Sequence, residues 1–422
     1  MKRPLTVLLL FLAQVCLTFG GVKIFSKYGN PLLLFGVSAL IAWYFWKYLQ
    51  EDGVEGLESD AAPATARWKR FGALAGTFSF VLCYEELRKL FVQWTPPGDY
   101  SDVLPQLEAL YYRFAEGQMP YYPVRFQTYE AYPVYMPLHW LPIGFADLFQ
   151  VDTRWIGFVV LALATGWYGW RLMRAGRPLV WQLVAIVLPS ISLWGYILWG
   201  EMDIPVSFEL LIAAYYLLLA SALQDKKVGL ITLGLILCIL SRYTLLFWLP
   251  LFALLLWQKV GLKRSAMVWG SVALSVLVVY ILPFLIRQPD ILKKGVAYHN
   301  EAAVAEWNGY DNVSWTMERG VHFAIYLKDA LQSTPANEVF WARVIQAGMM
   351  LFLMFGGLWL YKRVRQRINL FDFSLLFLYL IVLCFYTFGP LTYRYYLVVL
   401  HILSAVLCGR VIALGPIKDK TD

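Results

Sequence analysis

The sequence predicts an all-α protein, a polytopic transmembrane helical bundle of about twelve spans, with long loops on one face that carry amphipathic helices. Three observations predict it. Of the 422 residues, 60% are hydrophobic and only 15% charged, against roughly 25% charged in soluble domains, which excludes an ordinary cytosolic or secreted protein. Most of the apolar residues fall in blocks of about 17 to 25, long enough to cross roughly 30 Å of hydrocarbon as a helix. Lys and Arg collect in alternate connections between those blocks, as they do in proteins that weave through a bilayer.

Taken in chain order, the spans lie near 5–20, 30–48, 70–92, 154–172, 179–198, 204–223, 228–240, 243–258, 266–286, 338–361, 371–388 and 394–412. The opening MKRPLTVLLLFLAQVCLTFGG has the basic start and apolar centre of a signal peptide. It lacks a clean small-residue cleavage site and reads as a retained first span. The first two spans form an N-terminal extension, 1–50, followed by a cytoplasmic linker, 51–69, and a main unit, 70–415. The seventh block is too short to cross alone, so it is expected to line a cavity or tilt beside a partner. There is no internal repeat and no low-complexity tract.

With the amino terminus in the cytoplasm, 21 of the 36 Lys and Arg residues fall on the cytoplasmic side. Both termini are then cytoplasmic, and the formal charge of +8 reports orientation, not a nucleic-acid partner. Two long loops, 93–153 and 287–337, face outside, and loops of such length usually carry function. The five cysteines, Cys16, Cys83, Cys238, Cys384 and Cys408, all lie in apolar blocks without a CxxC pair. They read as small core or lipid-facing residues and not as a disulfide framework or zinc site. Low cysteine content and short cytoplasmic connections suit a bacterial plasma membrane.

The first outside loop begins QWTPPGDYSDVLPQLEALYYRFAEGQMPYYP. Pro96, Pro97 and Gly98 stop the preceding span, and an amphipathic helix starts at Asp102, with Leu104, Leu107, Tyr111 and Phe114 at spacings of three and four. Gly117 ends it. Such a helix lies along the membrane surface with its apolar face down, which holds Asp99 and Asp102 at the water boundary. A carboxylate there can accept a proton from a sugar hydroxyl or bind a metal. Asp102 is equally well placed as a helix N-cap, worth about 1 kcal/mol. The rest of the loop is crowded with tyrosines, Tyr135 among them, which serve as interfacial anchors or as platforms for sugar rings.

Ionisable residues at span depth are costly and therefore functional candidates. Glu201 and Asp203 sit at the outside end of spans five and six, either as a helix-start pair beside Pro205 or as part of an acceptor or metal site. Arg242 falls between spans seven and eight, and Arg394 begins the last span, both outside. Two guanidinium groups converging there suit a phosphate, because they bind its oxygens bidentately; either could instead pair with Asp203 or snorkel. In the second loop, Lys293, Lys294, Tyr298 and His299 could cover a phosphate, although a lone histidine is more often structural. His139 reads equally well as an interface residue.

These residues carry a resemblance. GDYSDVLPQLEALYYRFAEGQMPYYP followed by YEAYPVYMPLHWLPI resembles the first outside loop of the GT-C superfamily of membrane glycosyltransferases, particularly its polyprenol-phosphate-mannose-dependent mannosyltransferases (family 87-like). Those carry an Asp near the loop start, then Gly-x-x-Pro-Tyr, then a Tyr-Pro-rich descent into the next span. Gly117 lies 15 residues after Asp102 and 18 after Asp99, so Asp102 matches the family's catalytic base more closely. WGEMDIP at 199–205, LSRYTLLFWLP at 240–250 and the run Tyr393, Arg394, Tyr395, Tyr396 extend the likeness. Glu201 replaces the family's usual Gln, and the two leading spans have no counterpart in its simplest members.

The resemblance implies inverting transfer of a hexose, mannose among the candidates, from a polyprenyl-phosphate donor to a hydroxyl of a lipid-linked glycan or other outside acceptor. Asp102, or Asp99, would be the base; Arg242, Arg394, Glu201, Asp203, Tyr135, His299 and Tyr393 would bind substrate. No cofactor is required, and the paired carboxylates leave a divalent cation open. The expected partners are the donor, the acceptor and membrane lipids, with no nucleic acid. A transporter or flippase of lipid-linked sugars is the competing class. Against it stand the long outside loops, the lack of inverted halves and the gathering of acidic residues at one face.

Overall fold

The computed structural model describes residues 2–52, 64–94, 101–126, 129–200, 202–309 and 314–414. Among these the chain is almost wholly helical; its described strands are one short antiparallel pair, Val124–Arg125 with Glu130–Ala131. Every one of the twelve apolar blocks is helical. By length and composition, however, six described helices suffice to cross a membrane: Gly21–Glu51, Leu179–Trp199, Leu249–Leu285, Pro335–Val364, Leu370–Thr387 and Arg394–Leu414. A seventh results if Pro137–Phe149 and Arg154–Leu172, bent by 105° at their junction, are taken as one span.

The difference from twelve has local causes. The block at 70–92 is two helices, Ala66–Val81 and Tyr84–Gln93. The block at 204–223 becomes helical only at Glu209 and ends at Asp225. Val228–Ile239 is as short as the sequence indicates. The blocks at 243–258 and 266–286 run together in Leu249–Leu285, interrupted at Gly261, whose φ of 80° and ψ of 166° take the backbone out of the helix. Glycine has no Cβ to oppose that conformation.

In lipid the hydrophobic effect does not draw helices together, so close backbone approach through small residues does. Gly72 and Gly76 of the helix Ala66–Val81 meet Thr165, Gly166 and Gly169 of Arg154–Leu172 in this way. A β-carbon at Gly76 would stand 2.6 Å from the Thr165 carbonyl oxygen, and one at Gly169 would stand 2.2 Å from that of Gly72. Because the obstacle is backbone, it cannot rotate aside. Gly76→Leu is expected to destabilise the protein by about 3 kcal/mol, read as a lower melting temperature in detergent; an unchanged melting temperature would mean that the helices part freely.

The two leading helices are packed into the bundle. Gln14 Nε2 donates to Ser38 Oγ at 2.7 Å and to Tyr379 OH at 3.2 Å, and Thr18 Oγ1 lies 3.0 Å from His401 Nε2. The backbone breaks at Ser26 (φ 62°), whose Oγ accepts from the amides of Tyr28 and Gly29 and so caps the helix that follows.

Chain connections converge on one end of the bundle, here the loop face. Ser101 Oγ donates to the Val206 carbonyl at 3.1 Å, the Leu138 amide to Leu240 at 2.7 Å, and the Phe323 amide to Thr387 at 2.8 Å. At the opposite end stand the ion pairs Arg3–Glu51, Arg171–Asp225 and, at 3.0 Å, Arg410–Asp372. The five cysteines are free, four of them buried and Cys16 exposed.

Candidate active site

The loop-face site is built on the helix Val103–Ala115. Its Leu104, Leu107 and Leu110 are buried, and it ends before Gly117, which takes a φ of 73°. Phe114 packs edge-on against Trp140 and Phe284 with ring centroids 5.6 and 5.9 Å away. The leucines of the apolar side are therefore covered by protein, while Phe114 at its end stays exposed. Arg113 then folds the chain back by donating to the carbonyls of Pro120, Tyr122 and Pro123. The buried Tyr121 hydroxyl donates to the Tyr135 carbonyl at 2.9 Å and accepts from Trp140 Nε1 at 3.4 Å. Within this loop, the Gly-x-x-Pro-Tyr spacing serves to deliver Tyr135.

Asp102 occupies the N-cap position, yet its carboxylate makes no capping bond. Ser101 does that work instead, its Oγ accepting from the Val103 amide at 3.2 Å. The Asp102 carboxylate turns toward hydrogen-bond donors on Tyr129 and Gln106, while burial pushes its pKa up and those donors partly offset the rise. Its charge reaches the phenols of Tyr135, Tyr298 and Tyr393. Burial is the larger cause for all three, and it takes Tyr298 up to about 12. Glu306, itself raised by burial, adds a second carboxylate near Tyr393. Asp99 and Glu201 lie outside the described residues.

Arg242 and Arg394 do converge on this face, but each carries its own counterion. Arg394 pairs with Asp203 at 3.0 Å, the two side chains 8% and 11% exposed. Phe19 lies beneath the guanidinium at 5.7 Å. Burial pushes Asp203 up to about 6 against the opposing pull of Arg394 and Arg319. Arg242 pairs with the buried Glu209, sits 4.6 Å from the Tyr396 ring centroid and donates to Tyr386 OH at 3.5 Å. Of the alternatives the sequence left open, the pairing of Arg394 with Asp203 is present, and Arg242 is answered by Glu209 instead; a bare guanidinium at such depth is costly. Asp203 is also not a helix-start residue, since Met202–Val206 form a turn and the next helix begins at Glu209.

His299 is exposed, with its carbonyl accepting from Arg343 at 3.4 Å; its neighbour Tyr298 is the residue that shares Asp102's surroundings. His139 is buried, edge-on to Tyr135 at 5.1 Å and parallel to Phe208 at 6.3 Å, and so supports Tyr135 from below. Arg154 holds the rim together. Paired with Asp152, it donates to the carbonyls of Phe91, Trp94 and Pro205.

Sequence reasoning passed over Glu209, Gln106 and Arg319, and took Tyr129 with the other loop tyrosines as an anchor or a sugar platform and not as a partner of Asp102. Glu209 was discoverable, being an acidic residue inside an apolar block. Gln106 and Arg319 carry no local signal. Chemically, the arrangement offers one half-buried carboxylate set among phenols, beside two ion pairs whose arginines keep further N–H groups. Among the described residues, no three His, Cys, Asp or Glu side chains gather to hold a metal. No family model, curated protein or solved structure matches the chain.

Proposed function

We propose that the chain is an integral membrane glycosyltransferase of the GT-C type, with twelve spans, cytoplasmic termini and its loop face outside a bacterial plasma membrane. It transfers a hexose from a polyprenyl phosphate to a hydroxyl of a lipid-linked glycan or other outside acceptor. The observation that carries this reading is the release of the Asp102 carboxylate from capping and its placement among Tyr135, Tyr298 and Tyr393.

In the reaction, Asp102 takes the proton of the acceptor hydroxyl as its oxygen bonds to the anomeric carbon. The bond from that carbon to the phosphate oxygen breaks, the electron pair leaves with the polyprenyl phosphate, and the configuration inverts. Arg394 Nε, buried and without a hydrogen-bond partner among the described residues, is available to the departing oxygens. Fixed donors are worth most in such a water-poor site. Tyrosine faces supply the platform for the sugar rings.

The test is transfer of radiolabelled sugar from polyprenyl phosphate to a membrane lipid extract by purified protein in nanodiscs. Sugar that crosses the bilayer of a proteoliposome without being transferred would establish the flippase instead. Arg394→Ala is expected to raise the donor KM by about tenfold, the loss of roughly one charge-assisted hydrogen bond. Unchanged KM and kcat would remove Arg394 from the donor site.

A further inference from the structure

At the end opposite the loop face the chain turns back on itself at Gly261. The helical stretches on either side of that glycine lie against each other, the rings of Phe252 and Trp269 meeting at 6.4 Å. The helix Pro335–Val364 descends beside them, since a β-carbon at its Gly357 would stand 3.0 Å from Leu251 Cδ2. Its Tyr361 packs on Phe373 with centroids 5.2 Å apart, one residue from the Asp372–Arg410 pair. The turn at 259–264 and the helix end at 362–367 therefore emerge side by side.

Seven exposed cations stand there: Lys259, Lys263 and Arg264 at the turn, and Lys362, Arg363, Arg365 and Arg367 at the helix end. Elsewhere at this end of the bundle, carboxylates answer arginines, Glu51 for Arg3, Asp225 for Arg171 and Asp372 for Arg410. Among the described residues, none of the seven has such a partner. The negative end of the helix dipole accounts for Lys362 and Arg363, and not for seven. Like charges so gathered repel one another, and an anion between them relieves that.

Within four residues of these cations lie exposed apolar side chains. Trp257 is 51% exposed, Trp359 56%, Leu262 69% and Met267 65%. The Arg363 guanidinium lies 3.7 Å from the Trp359 ring centroid. Cation and indole thus occupy one level, as they do where a membrane meets water.

We infer that this surface binds an anionic phospholipid, its phosphate between the Gly261 turn and the 362–367 helix end and its acyl chains along Trp257, Leu262, Met267 and Trp359. The inference needs only that the apolar helices lie in a bilayer. It does not rest on sugar transfer, because the patch is at the far end from Asp102.

The test titrates the purified full chain, in a neutral detergent, with phosphatidylglycerol or phosphatidylcholine while the melting temperature is followed. A lipid that binds the folded protein raises it. Phosphatidylglycerol is expected to act at a concentration at least about a hundredfold lower than phosphatidylcholine, an advantage that shrinks at about 0.5 M salt. Each cation removed is expected to raise the phosphatidylglycerol concentration needed by about fivefold. The triple variant Lys259→Gln, Lys263→Gln, Arg264→Gln therefore needs about a hundredfold more, as does Arg363→Gln, Arg365→Gln, Arg367→Gln. The phosphatidylcholine response stays as it was.

The control is Arg67→Gln, Lys69→Gln, Arg70→Gln, three cations at the same end on the helix Ala66–Val81. It is expected to respond like the wild type. A loss there as large as in the patch variants would mean a diffuse positive surface and overturn the site. So would patch variants that keep the wild-type response, or a wild type that does not prefer phosphatidylglycerol. Glycerol phosphate acting at the same concentration as phosphatidylglycerol would assign the cations to a free anion and overturn the lipid. Should a triple variant fail to fold, Lys263→Gln and Arg363→Gln singly are each expected to show the fivefold change, and no change in either overturns the site.

Discussion

Asp102→Asn is expected to lower sugar transfer by roughly 10²–10⁴-fold while leaving the melting temperature and donor KM unchanged. The fold is spared because Ser101, not Asp102, caps the helix Val103–Ala115. Asparagine keeps the size of the side chain and can still accept from Tyr129 and Gln106, so what is lost is the capacity to take a proton. Only ionised Asp102 can act as base, and burial is the largest influence on its pKa, pushing it up. The rate therefore rises with pH along a limb displaced above the ordinary carboxylate range near 4. Tyr129 opposes that displacement, so Tyr129→Phe should move the limb further toward neutral pH. A limb that moves toward acid, or an Asp102→Asn enzyme of full activity, would remove Asp102 as the base.

Glu209→Ala is expected to cost about 3–5 kcal/mol, because it strands the Arg242 guanidinium in a buried site. The side chains are 1% and 13% exposed, so little water is available to replace the carboxylate. Detergent-solubilised protein should show the loss as a large drop in melting temperature, and Glu209→Gln, which keeps the shape and one acceptor, as a smaller one. The double variant Glu209→Leu with Arg242→Met should recover most of the stability, since buried ion pairs are replaceable by apolar groups of similar volume. It should not recover transfer, because Arg242 also holds the Tyr396 ring and the Tyr386 hydroxyl. A Glu209→Ala protein with the wild-type melting temperature would show that Arg242 is hydrated.

The helix that carries Asp102 was legible because its signals are local: apolar residues three and four apart, and a glycine at its end. The same holds for the apolar blocks, each of which is helical. Their division into spans was less legible. Composition does not register the break between Val81 and Tyr84, the late helix start at Glu209 or the fusion through Gly261.

What the sequence by itself determined is the class of protein, the separation of a loop face from its opposite, and the presence of Asp102, Arg242, Arg394, Tyr135 and Tyr393 on that face. Hydrophobic period and charge distribution act over a few residues, and a chain carries them whatever it packs against. Only the tertiary structure decided partners: that Ser101 caps and Asp102 does not, that Glu209 answers Arg242 and Asp203 answers Arg394, and that Asn30 holds the Gly320 carbonyl. Those contacts join residues far apart in the chain. Their energy depends on burial and distance, which exist only once the helices have packed.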